Sequence, residues 1–224
     1  MSWAKRGVGK ARRLWSLARK GDTRAALKSA RKSLWSTEEA YGFRRDLSKP
    51  FNPPQASIEL RIRPLEPRDL PHLLSPAAGD KAVQLVRQQR LVDARIPTCW
   101  VAVDDDDLPC YMQWVIGPES NDLMRRTFGT EFPPVAHDEI LLEGAFTPAR
   151  YRSQRIGGEA VTLIANTAHP TARWALTFIS TRSIAPSKMA GIGFDVVTLR
   201  RSKWRLLRHT TTFEPVPVTE SSRL

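Results

Sequence analysis

Residues 139–164 read EILLEGAFTPARYRSQRIGGEAVTLI, and this stretch decides the fold. It begins as an apolar strand, continues into a turn rich in Arg and Gly, and ends in apolar residues at helical spacing. A glycine-rich turn that opens a helix points several free N–H groups, and the positive end of the helix dipole, at one spot. The stretch therefore predicts a strand, an anion-binding turn and a helix in that order.

The turn contains the residue types that hold a phosphate. Gly157 and Gly158 let the backbone approach an anion without a Cβ in the way, and Arg150, Arg152 and Arg155 supply charge-assisted hydrogen bonds. Two adjacent glycines at a helix start also occur as ordinary turn chemistry. Taken alone, the turn is compatible with a phosphate cradle and with a simple turn.

The order of these elements resembles the GNAT superfamily of acyl-CoA-dependent N-acyltransferases, over about residues 57–214. In that family the strand is followed by Arg/Gln-x-x-Gly-x-Gly/Ala, whose backbone amides bind the coenzyme A pyrophosphate. Residues 152–157, Arg-Ser-Gln-Arg-Ile-Gly, match this motif with Arg155 in place of the first glycine. A second register, residues 154–159, keeps the first glycine but puts Glu159 at the last small position. We favour the first register, because it starts the helix where the apolar spacing begins.

The resemblance implies a co-substrate, acetyl-CoA or another acyl-CoA. It also implies that the strand splays from its neighbour to admit the acyl-pantetheine arm, which backbone groups would hold. The cofactor-binding residues expected from the resemblance are Ala145, Phe146 and Thr147 on the strand, and Arg152, Ser153, Gln154, Arg155, Ile156, Gly157 and Gly158 in the turn.

The strand also offers a general base. Strict alternation puts one set of residues on one face, Glu139, Leu141, Glu143, Ala145 and Thr147, and another set on the opposite face, Ile140, Leu142, Gly144 and Phe146. Acyl transfer to an amine needs a base for the amine proton and donors that polarise the thioester carbonyl. Because some members of the resembling family carry a catalytic Glu here, we expect Glu143 first and Glu139 second as the base. The alternative is that either carboxylate only pairs with an arginine.

A second stretch, residues 175–201, reads as strand, helix, Gly-Phe and strand, an order that the resembling family shares. Family members commonly carry Asn near the start of that helix and Tyr within it, the Tyr being the acid that protonates the departing thiolate. Counting back from the Gly-Phe pair puts Arg182 and Met189 at these positions. The usual acid is therefore missing, and Ser183, Ser187 or a water takes its place, or the thiolate leaves unprotonated.

The remaining pattern predicts an α+β fold. With the resemblance, it indicates a GNAT-like central mixed, mostly antiparallel sheet flanked by helices. The expected elements are a strand at 58–63, helices at 64–70 and 81–91, a hairpin of strands 99–103 and 110–116, strands at 195–199 and 204–213, and a helix that ends at Gly193.

Metal and disulfide chemistry find little support in the sequence. The four histidines, His72, His137, His169 and His209, have no metal-ligand spacing, so no metal is predicted. Residues 104–107, Asp-Asp-Asp-Asp, lie at the tip of the predicted hairpin, where a solvated turn is favoured over a metal site. Cys99 and Cys110 form no disulfide framework, although the hairpin leaves a bridge between them open.

The positive charge is concentrated at the N-terminus. The chain has a net charge of +12, and residues 1–56 hold fourteen Lys and Arg but four Asp and Glu. Charge and composition therefore predict three segments: a basic amphipathic helical extension and linker at 1–56, the GNAT-like domain at 57–214 and a C-terminal tail at 215–224.

Within the extension, apolar residues form two helical stripes, at 8–18 and 27–34, with basic residues between them. Such helices pack on their own domain or on a protein partner, or they bind an anionic membrane surface, with nucleic acid a less favoured partner. Charges interrupt every apolar run, so neither a signal peptide nor a transmembrane segment is expected, while an Arg-rich targeting presequence stays open.

Two function classes follow from these observations. The first is a cytoplasmic N-acyltransferase, most simply an acetyltransferase, that acts on an unidentified amine. The second is a catalytically inactive acyl-CoA-binding or interaction module, recruited to a membrane surface or to nucleic acid by its basic N-terminus. The departures at Arg155, Arg182 and Met189 favour the second class, and the strand with its two Glu residues and the Arg-rich turn favour the first.

Overall fold

A computed structural model of the 224-residue chain describes residues 35–74, 88–89, 91–96, 98–183, 186–206 and 208–216. The chain divides into two compact units. The smaller comprises Met1–Glu38 with Arg201–Thr212, and the larger comprises Glu39–Arg200 with Phe213–Leu224.

Eight strands and four α-helices have both of their ends in the described part of the chain. The strands are β1 (Trp35–Asp46), β2 (Arg61–Pro64), β3 (Cys99–Val103), β4 (Pro109–Ile116), β5 (Glu139–Phe146), β6 (Trp174–Ser180), β7 (Asp195–Arg205) and β8 (Arg208–Pro215). The helices are α1 (Leu70–Leu74), α2 (Asn121–Phe128), α3 (Ile156–Ala168) and α4 (Pro186–Met189), joined by short 3₁₀ turns at Pro67–Asp69, Pro118–Ser120, Ala149–Tyr151 and Ala190–Ile192.

The strands form one sheet in the order β2-β3-β4-β5-β6-β1-β7-β8. The pairs β2/β3, β3/β4, β4/β5 and β6/β1 are antiparallel, whereas β5 and β6 are parallel. A parallel pair needs a crossover connection, and α3 provides it between β5 and β6. The predicted α+β fold with a mixed, mostly antiparallel sheet is confirmed.

Within the larger unit, the sheet is covered on both faces. On one face α3 contributes Ile156, Ala160 and Ile164 to a buried cluster that includes Ile140 and Leu142 of β5. A second buried cluster contains Leu73 of α1, Met124 of α2 and Leu141 of β5, together with Trp114 and Phe178. Burying both faces fixes the register of β5, because a one-residue slip would exchange its two sets of side chains.

Strand β1 is the element that the sequence did not predict. It lies within residues 1–56, the range assigned to the extension and linker, yet Ala40–Asp46 pairs antiparallel with Trp174–Ser180 of β6. The sheet therefore begins before residue 57, the predicted start of the domain. Both helical stripes of the extension lie outside the described residues, so the character of that segment stays a prediction.

Several local predictions are confirmed. Strands β3 and β4 form the expected hairpin, and Gly193 ends the 3₁₀ turn after α4 with φ of 79°, the left-handed conformation that glycine favours. The predicted helix at 81–91 lies mostly outside the described residues, although residues 88–89 and 91–93 are helical. None of the described helices is long and apolar enough to cross a membrane.

At the hairpin tip Asp105 and Asp106 are exposed, as in the predicted solvated turn, whereas Asp104 and Asp107 bind neighbouring groups. Asp104 accepts hydrogen bonds from the backbone N–H of Leu108 at 2.9 Å and the hydroxyl of Tyr151 at 2.6 Å. Asp107 forms ion pairs with Arg63 and Arg68 at 3.3 and 2.7 Å. These aspartates therefore fasten the hairpin to neighbouring elements. No cluster of three or more His, Cys, Asp or Glu with metal-site geometry occurs in the described part of the chain.

Cys99 and Cys110 are both free and buried, so the bridge left open by the sequence is not formed. Burial raises the pKa of the Cys110 thiol to about 12, with a smaller contribution from the nearby Asp104 carboxylate. The thiol of Cys110 donates to the carbonyl of Ala102 at 3.2 Å. A thiol that stays protonated and buried is a packing residue rather than a nucleophile.

In the smaller unit, the end of β7 contacts the start of β1. The guanidinium of Arg205 lies 4.0 Å from the centroid of the Trp35 ring and donates to the Ser36 carbonyl at 2.9 Å. The rings of Trp204 and His209 stack with centroids 4.3 Å apart. These contacts order the hairpin between β7 and β8, while Trp35 and Leu206 remain 68% and 75% exposed.

Candidate active site

A β-bulge interrupts strand β5 after Glu143. Its pairing with β4 changes register between Trp114↔Glu143 and Met112↔Phe146, so Gly144 and Ala145 together stand opposite Gln113. Gly144 has φ of +68°, a conformation that an L side chain rarely adopts. A bulge of this kind bends the strand and turns the following side chains to the other face.

The bulge corrects the predicted faces of β5. Alternation holds as far as Glu143, because Leu141 lies in one buried cluster and Ile140 and Leu142 in the other. Beyond the bulge the prediction is wrong: Phe146 joins the cluster of Leu141 rather than that of Leu142. Strict alternation failed here because one extra residue shifts the period.

Strand β5 separates from β6 after a short parallel contact. The two strands pair from Glu139↔Trp174 to Leu141↔Leu176, and no later residue of β5 pairs with β6, although both strands are fully described. We call this opening between residues 142–146 and β6 the β5/β6 gap. The splaying that the resemblance implied is thus confirmed.

Helix α3 starts beside the end of β5. An ideal Cβ on Gly157 would lie 3.8 Å from both the Thr147 hydroxyl and the Tyr111 ring. The amides of Ile156 and Gly157 have no acceptor among the described residues, whereas the N–H of Gly158 donates to the Arg155 carbonyl at 3.2 Å. First-turn amides together with the helix dipole form an anion site. The gap and the start of α3 therefore lie at the same end of β5.

Residue Arg155 is the N-cap of α3 and has φ of 60°. This is the left-handed region, which glycine adopts without a steric penalty and in which a residue with a Cβ is strained. The helix starts at Ile156, where the favoured register placed its start, and Arg155 takes the position of the first glycine in that register. The backbone conformation at this position therefore favours glycine, and Arg155 adopts it with conformational strain.

We expect Arg155→Gly to stabilise the fold by about 0.5–1 kcal/mol, because relief of left-handed strain exceeds the added entropy of the unfolded chain. For a chain of this size, that corresponds to a rise in Tm of about 1–4 °C, measured by thermal unfolding followed by circular dichroism. The matched control is Arg152→Gly, at a residue with φ of −71°. The control should not raise Tm, and equal shifts in the two variants would contradict the strain argument.

The side chains of the turn are mostly turned outward. Arg152 and Arg155 are exposed, and the Nε of Arg152 donates to the Thr147 carbonyl at 3.1 Å. Gln154 donates through its amide to the Arg150 carbonyl at 3.2 Å. The Arg152 and Gln154 bonds fix the path of the turn, so the guanidinium groups extend from a backbone of defined shape.

A short loop packs against the start of α3, and its backbone forms a hydrogen bond with the acidic residue of the first helical turn. Glu159 accepts a hydrogen bond from the backbone N–H of Ala56, and the N–H of Ser57 donates to the Gln154 carbonyl at 3.0 Å. An ideal Cβ on Gly158 would lie 3.3 Å from the side chain of Ile192, so this glycine is close-packed. Gly157 thus has free space where Gly158 does not.

A buried polar pair that sequence analysis missed lies in strand β4, beneath the start of α3. The Tyr111 hydroxyl donates to the Gln113 side-chain carbonyl at 2.8 Å, and burial raises the pKa of Tyr111 far above its usual range. Gln113 is 2% exposed and stands opposite the bulge. The available signal was a polar residue inside an otherwise apolar strand.

The two candidate bases occupy different environments. Glu139 forms an ion pair with Arg44 at 2.8 Å and accepts from the backbone N–H of Ala136 at 3.2 Å. Glu143 is 4% exposed and lies directly before the bulge, where β5 has already left β6. The structure thus gives Glu139 an arginine partner, and it places Glu143 at the β5/β6 gap.

The positions aligned with the usual acid and its helix-start partner hold no replacement acid. Met189 is 6% exposed and packs in the cluster that contains α3, and Arg182 is exposed after β6. Of the two serines considered, Ser183 is exposed, and nothing is described of the side chain of Ser187. The position that the resemblance aligned with the usual tyrosine is therefore occupied by a buried methionine.

Comparison with known proteins identifies the fold. No protein-family model matches the chain, and no curated protein is similar to it. A conserved protein of unknown function from Staphylococcus epidermidis superposes with a TM-score of 0.50 at 12% identity, over 86% of this chain and 68% of that one. The GCN5-related glucosamine N-acetyltransferase region of a fungal multi-domain β-N-acetylglucosaminidase superposes with a TM-score of 0.53 at 10% identity, over 85% of this chain.

The chain spans 23% of the length of that fungal protein, the part that corresponds to the superposed region. The chain therefore has the fold of the GCN5-related N-acetyltransferases, the GNAT superfamily.

Proposed function

We propose that the chain is an acyl-CoA-dependent N-acyltransferase, with acetyl-CoA as its donor and a primary amine as its acceptor. One observation carries the proposal: the β5/β6 gap and the free amides at the start of α3 lie at the same end of β5. An extended molecule with amide groups at one end and phosphates at the other is complementary to that arrangement.

The pantetheine arm suits the gap because it carries amide groups along a narrow chain. Beyond Leu141, strand β5 has no ladder partner on its β6 side, and Ala145 is exposed. An amide-bearing arm in the gap would restore some of the missing backbone hydrogen bonds, as an added strand does at a sheet edge. Ala145, Phe146 and Thr147 are the proposed contacts at this point.

The pyrophosphate suits the start of α3. Its oxygens would accept from the amides of Ile156 and Gly157, and Gly158 keeps the adjacent backbone free of a Cβ. Arg150, Arg152 and Arg155 are charged groups around this point, with Ser153 and Gln154 completing the turn. Arginine binds phosphate oxygens through paired donors, which adds geometric specificity to the attraction.

The transfer step requires one proton to leave the acceptor. The amine nitrogen attacks the thioester carbonyl, a C–N bond forms, the C–S bond breaks, and the electron pair of that bond leaves with sulfur. Glu143 takes the amine proton, directly or through a water, and the thiolate leaves with a proton from water or without one. Backbone N–H groups at the bulge would polarise the carbonyl, and the withdrawal of Glu143 from solvent strengthens every charge interaction there.

The proposal is tested by calorimetric titration of the full chain with acetyl-CoA, using a pair of substitutions at Gly157. Gly157 has an ordinary φ and room for a Cβ, so Gly157→Ala should fold and bind as the wild type does. Gly157→Glu puts a carboxylate where the pyrophosphate would lie, and we expect affinity to fall by about a hundredfold or more.

Micromolar binding that Gly157→Ala keeps and Gly157→Glu loses would establish the coenzyme site, and Arg152→Ala should weaken it to a smaller extent. The absence of binding by the wild type would overturn the proposal. Binding without transfer to any amine in an acceptor screen would instead make the chain an acyl-CoA-binding protein. A cytoplasmic location, and recruitment of residues 1–56 to a membrane, a protein or nucleic acid, stay predictions.

A further inference from the structure

A cavity of about 430 Å³ lies in the larger unit, next to the ends of β1 and β6 that are remote from the β5/β6 gap. Its walls include the charged side chains of Arg44, Arg45 and Lys49 and the aromatic rings of Phe51 and Trp174. A volume of this size suits a small metabolite. Nothing in the acyl-transfer proposal uses this cavity.

Arg45 is the unusual residue of the cavity. It is 3% exposed, and among the described residues no carboxylate pairs with it. Its side chain donates one hydrogen bond, from Nη1 to the Thr162 hydroxyl at 3.1 Å, and its guanidinium lies 4.7 Å from the centroid of the Phe51 ring. Burial lowers the pKa of Arg45 because it disfavours the charged form. Buried arginines are rarely left without an anionic partner.

Charges of both signs line the cavity, but no carboxylate among the described residues pairs with Arg45. Arg44 is already bonded to Glu139, but its Nε is buried without a partner in the described chain. Asp46 accepts from the backbone and hydroxyl groups of Ser48 at 3.1 and 2.6 Å. Asp46 also pairs with Arg173 at 3.9 Å, and in the described part of the chain no ion pair joins Asp46 or Asp195 to Arg45.

We propose that this cavity binds a small anion through a carboxylate or phosphate group that faces Arg45. The charged group would pair with the Arg45 guanidinium on the face of β1 that α3 covers. The ring of Phe51, which lies against that guanidinium, would flank the rest of the ligand. The site is independent of the coenzyme site, because its residues lie on β1, on the loop that follows β1, and at the starts of β6 and β7.

The experiment is thermal unfolding of the full chain with increasing inorganic phosphate or citrate, at ionic strength held constant with sodium chloride. We expect Tm to rise with the logarithm of the anion concentration above the dissociation constant, by about 5–10 °C at a hundred times that constant. A response to phosphate alone would assign a phosphate ligand, a response to citrate alone would assign a carboxylate, and either supports the site.

The deciding variant is Arg45→Met, which removes the charge at nearly constant length. It should fold, since exchanging an unpaired buried charge for an apolar group is often neutral or stabilising, and it should lose the anion-dependent rise. The matched control is Arg125→Met, on the exposed face of α2, which should keep the rise in full. Val197→Trp, which fills the cavity from its rim without touching Arg45, should also abolish it.

The Gly157→Glu variant distinguishes phosphate binding in the cavity from phosphate binding at the start of α3. A rise that survives in Gly157→Glu and vanishes in Arg45→Met supports the cavity. A rise that vanishes in Gly157→Glu and survives in Arg45→Met overturns the proposal, as does the absence of a rise in the wild type with both anions. Should Arg45→Met fail to fold, a full rise in Val197→Trp would overturn it equally.

Discussion

Substitution of Gly144 by alanine is expected to lower the free energy of unfolding by about 3 kcal/mol. Two costs add. Left-handed backbone strain contributes about 1–2 kcal/mol, and overpacking contributes about 1–3 kcal/mol. The added Cβ would lie 2.6 Å from Leu91 Cδ1 and 2.8 Å from Trp114 Cε3. Both neighbours are nearly inaccessible to solvent and have little room to move.

Urea unfolding monitored by tryptophan fluorescence measures the effect, with Gly129→Ala as the matched control. Gly129 has the same φ of +68°, and nothing lies within 4 Å of its ideal Cβ. The control has a positive φ without a packing clash, so a larger loss in Gly144→Ala than in Gly129→Ala would reveal the packing cost. Equal losses in both variants would show that the bulge is not held by Leu91 and Trp114.

Glu143→Gln is expected to reduce kcat/KM for acyl transfer by about a hundredfold to ten-thousandfold, with little change in acetyl-CoA affinity. The amide keeps the size of the side chain but cannot accept a proton from the amine. The effect should appear in kcat, because the group acts in the transition state rather than in binding the donor. Release of free coenzyme A, with an acceptor found by the amine screen, provides the assay.

Two further variants complete this experiment. Glu139→Gln breaks the ion pair with Arg44, so we expect it to lower stability and to reduce transfer less than Glu143→Gln does. Asp122→Asn removes a carboxylate from an exposed ion pair on α2 and should leave transfer unchanged. A larger loss of activity in Glu139→Gln than in Glu143→Gln would reverse the assignment of the base. Activity near the wild-type level in Glu143→Gln would remove the base from this strand.

Much of the fold could be predicted from local patterns. The hairpin of β3 and β4 was predicted from two apolar runs around four aspartates, and the start of α3 from apolar spacing that begins at Ile156. These elements depend on neighbours in sequence, which is the information that periodicity contains. The β5/β6 gap was expected from family resemblance, and the pairing of the two strands confirmed it.

What the sequence did not reveal depends on contacts between distant residues. The bulge at Gly144 is set by Leu91 and Trp114, so strict alternation misplaced Phe146. Strand β1 carries charged residues within a basic region, and these residues concealed the alternating pattern of a strand. Arg45 is buried because β1 lies inside the sheet rather than at its edge. The cavity beside Arg45 follows from that placement and has no signature in the sequence. The roles of the candidate site residues stay predictions for the experiments above.

The position of β1 also determines when the sheet can be completed during synthesis. β1 emerges from the ribosome before its partner β6, which is made about 130 residues later, a delay on the order of ten seconds. Throughout that interval, a strand destined for the interior of the sheet has no native neighbour and is available to chaperones or to aggregation. A shortened chain that starts at residue 57 would never receive this strand, and β6 would be left with an open edge.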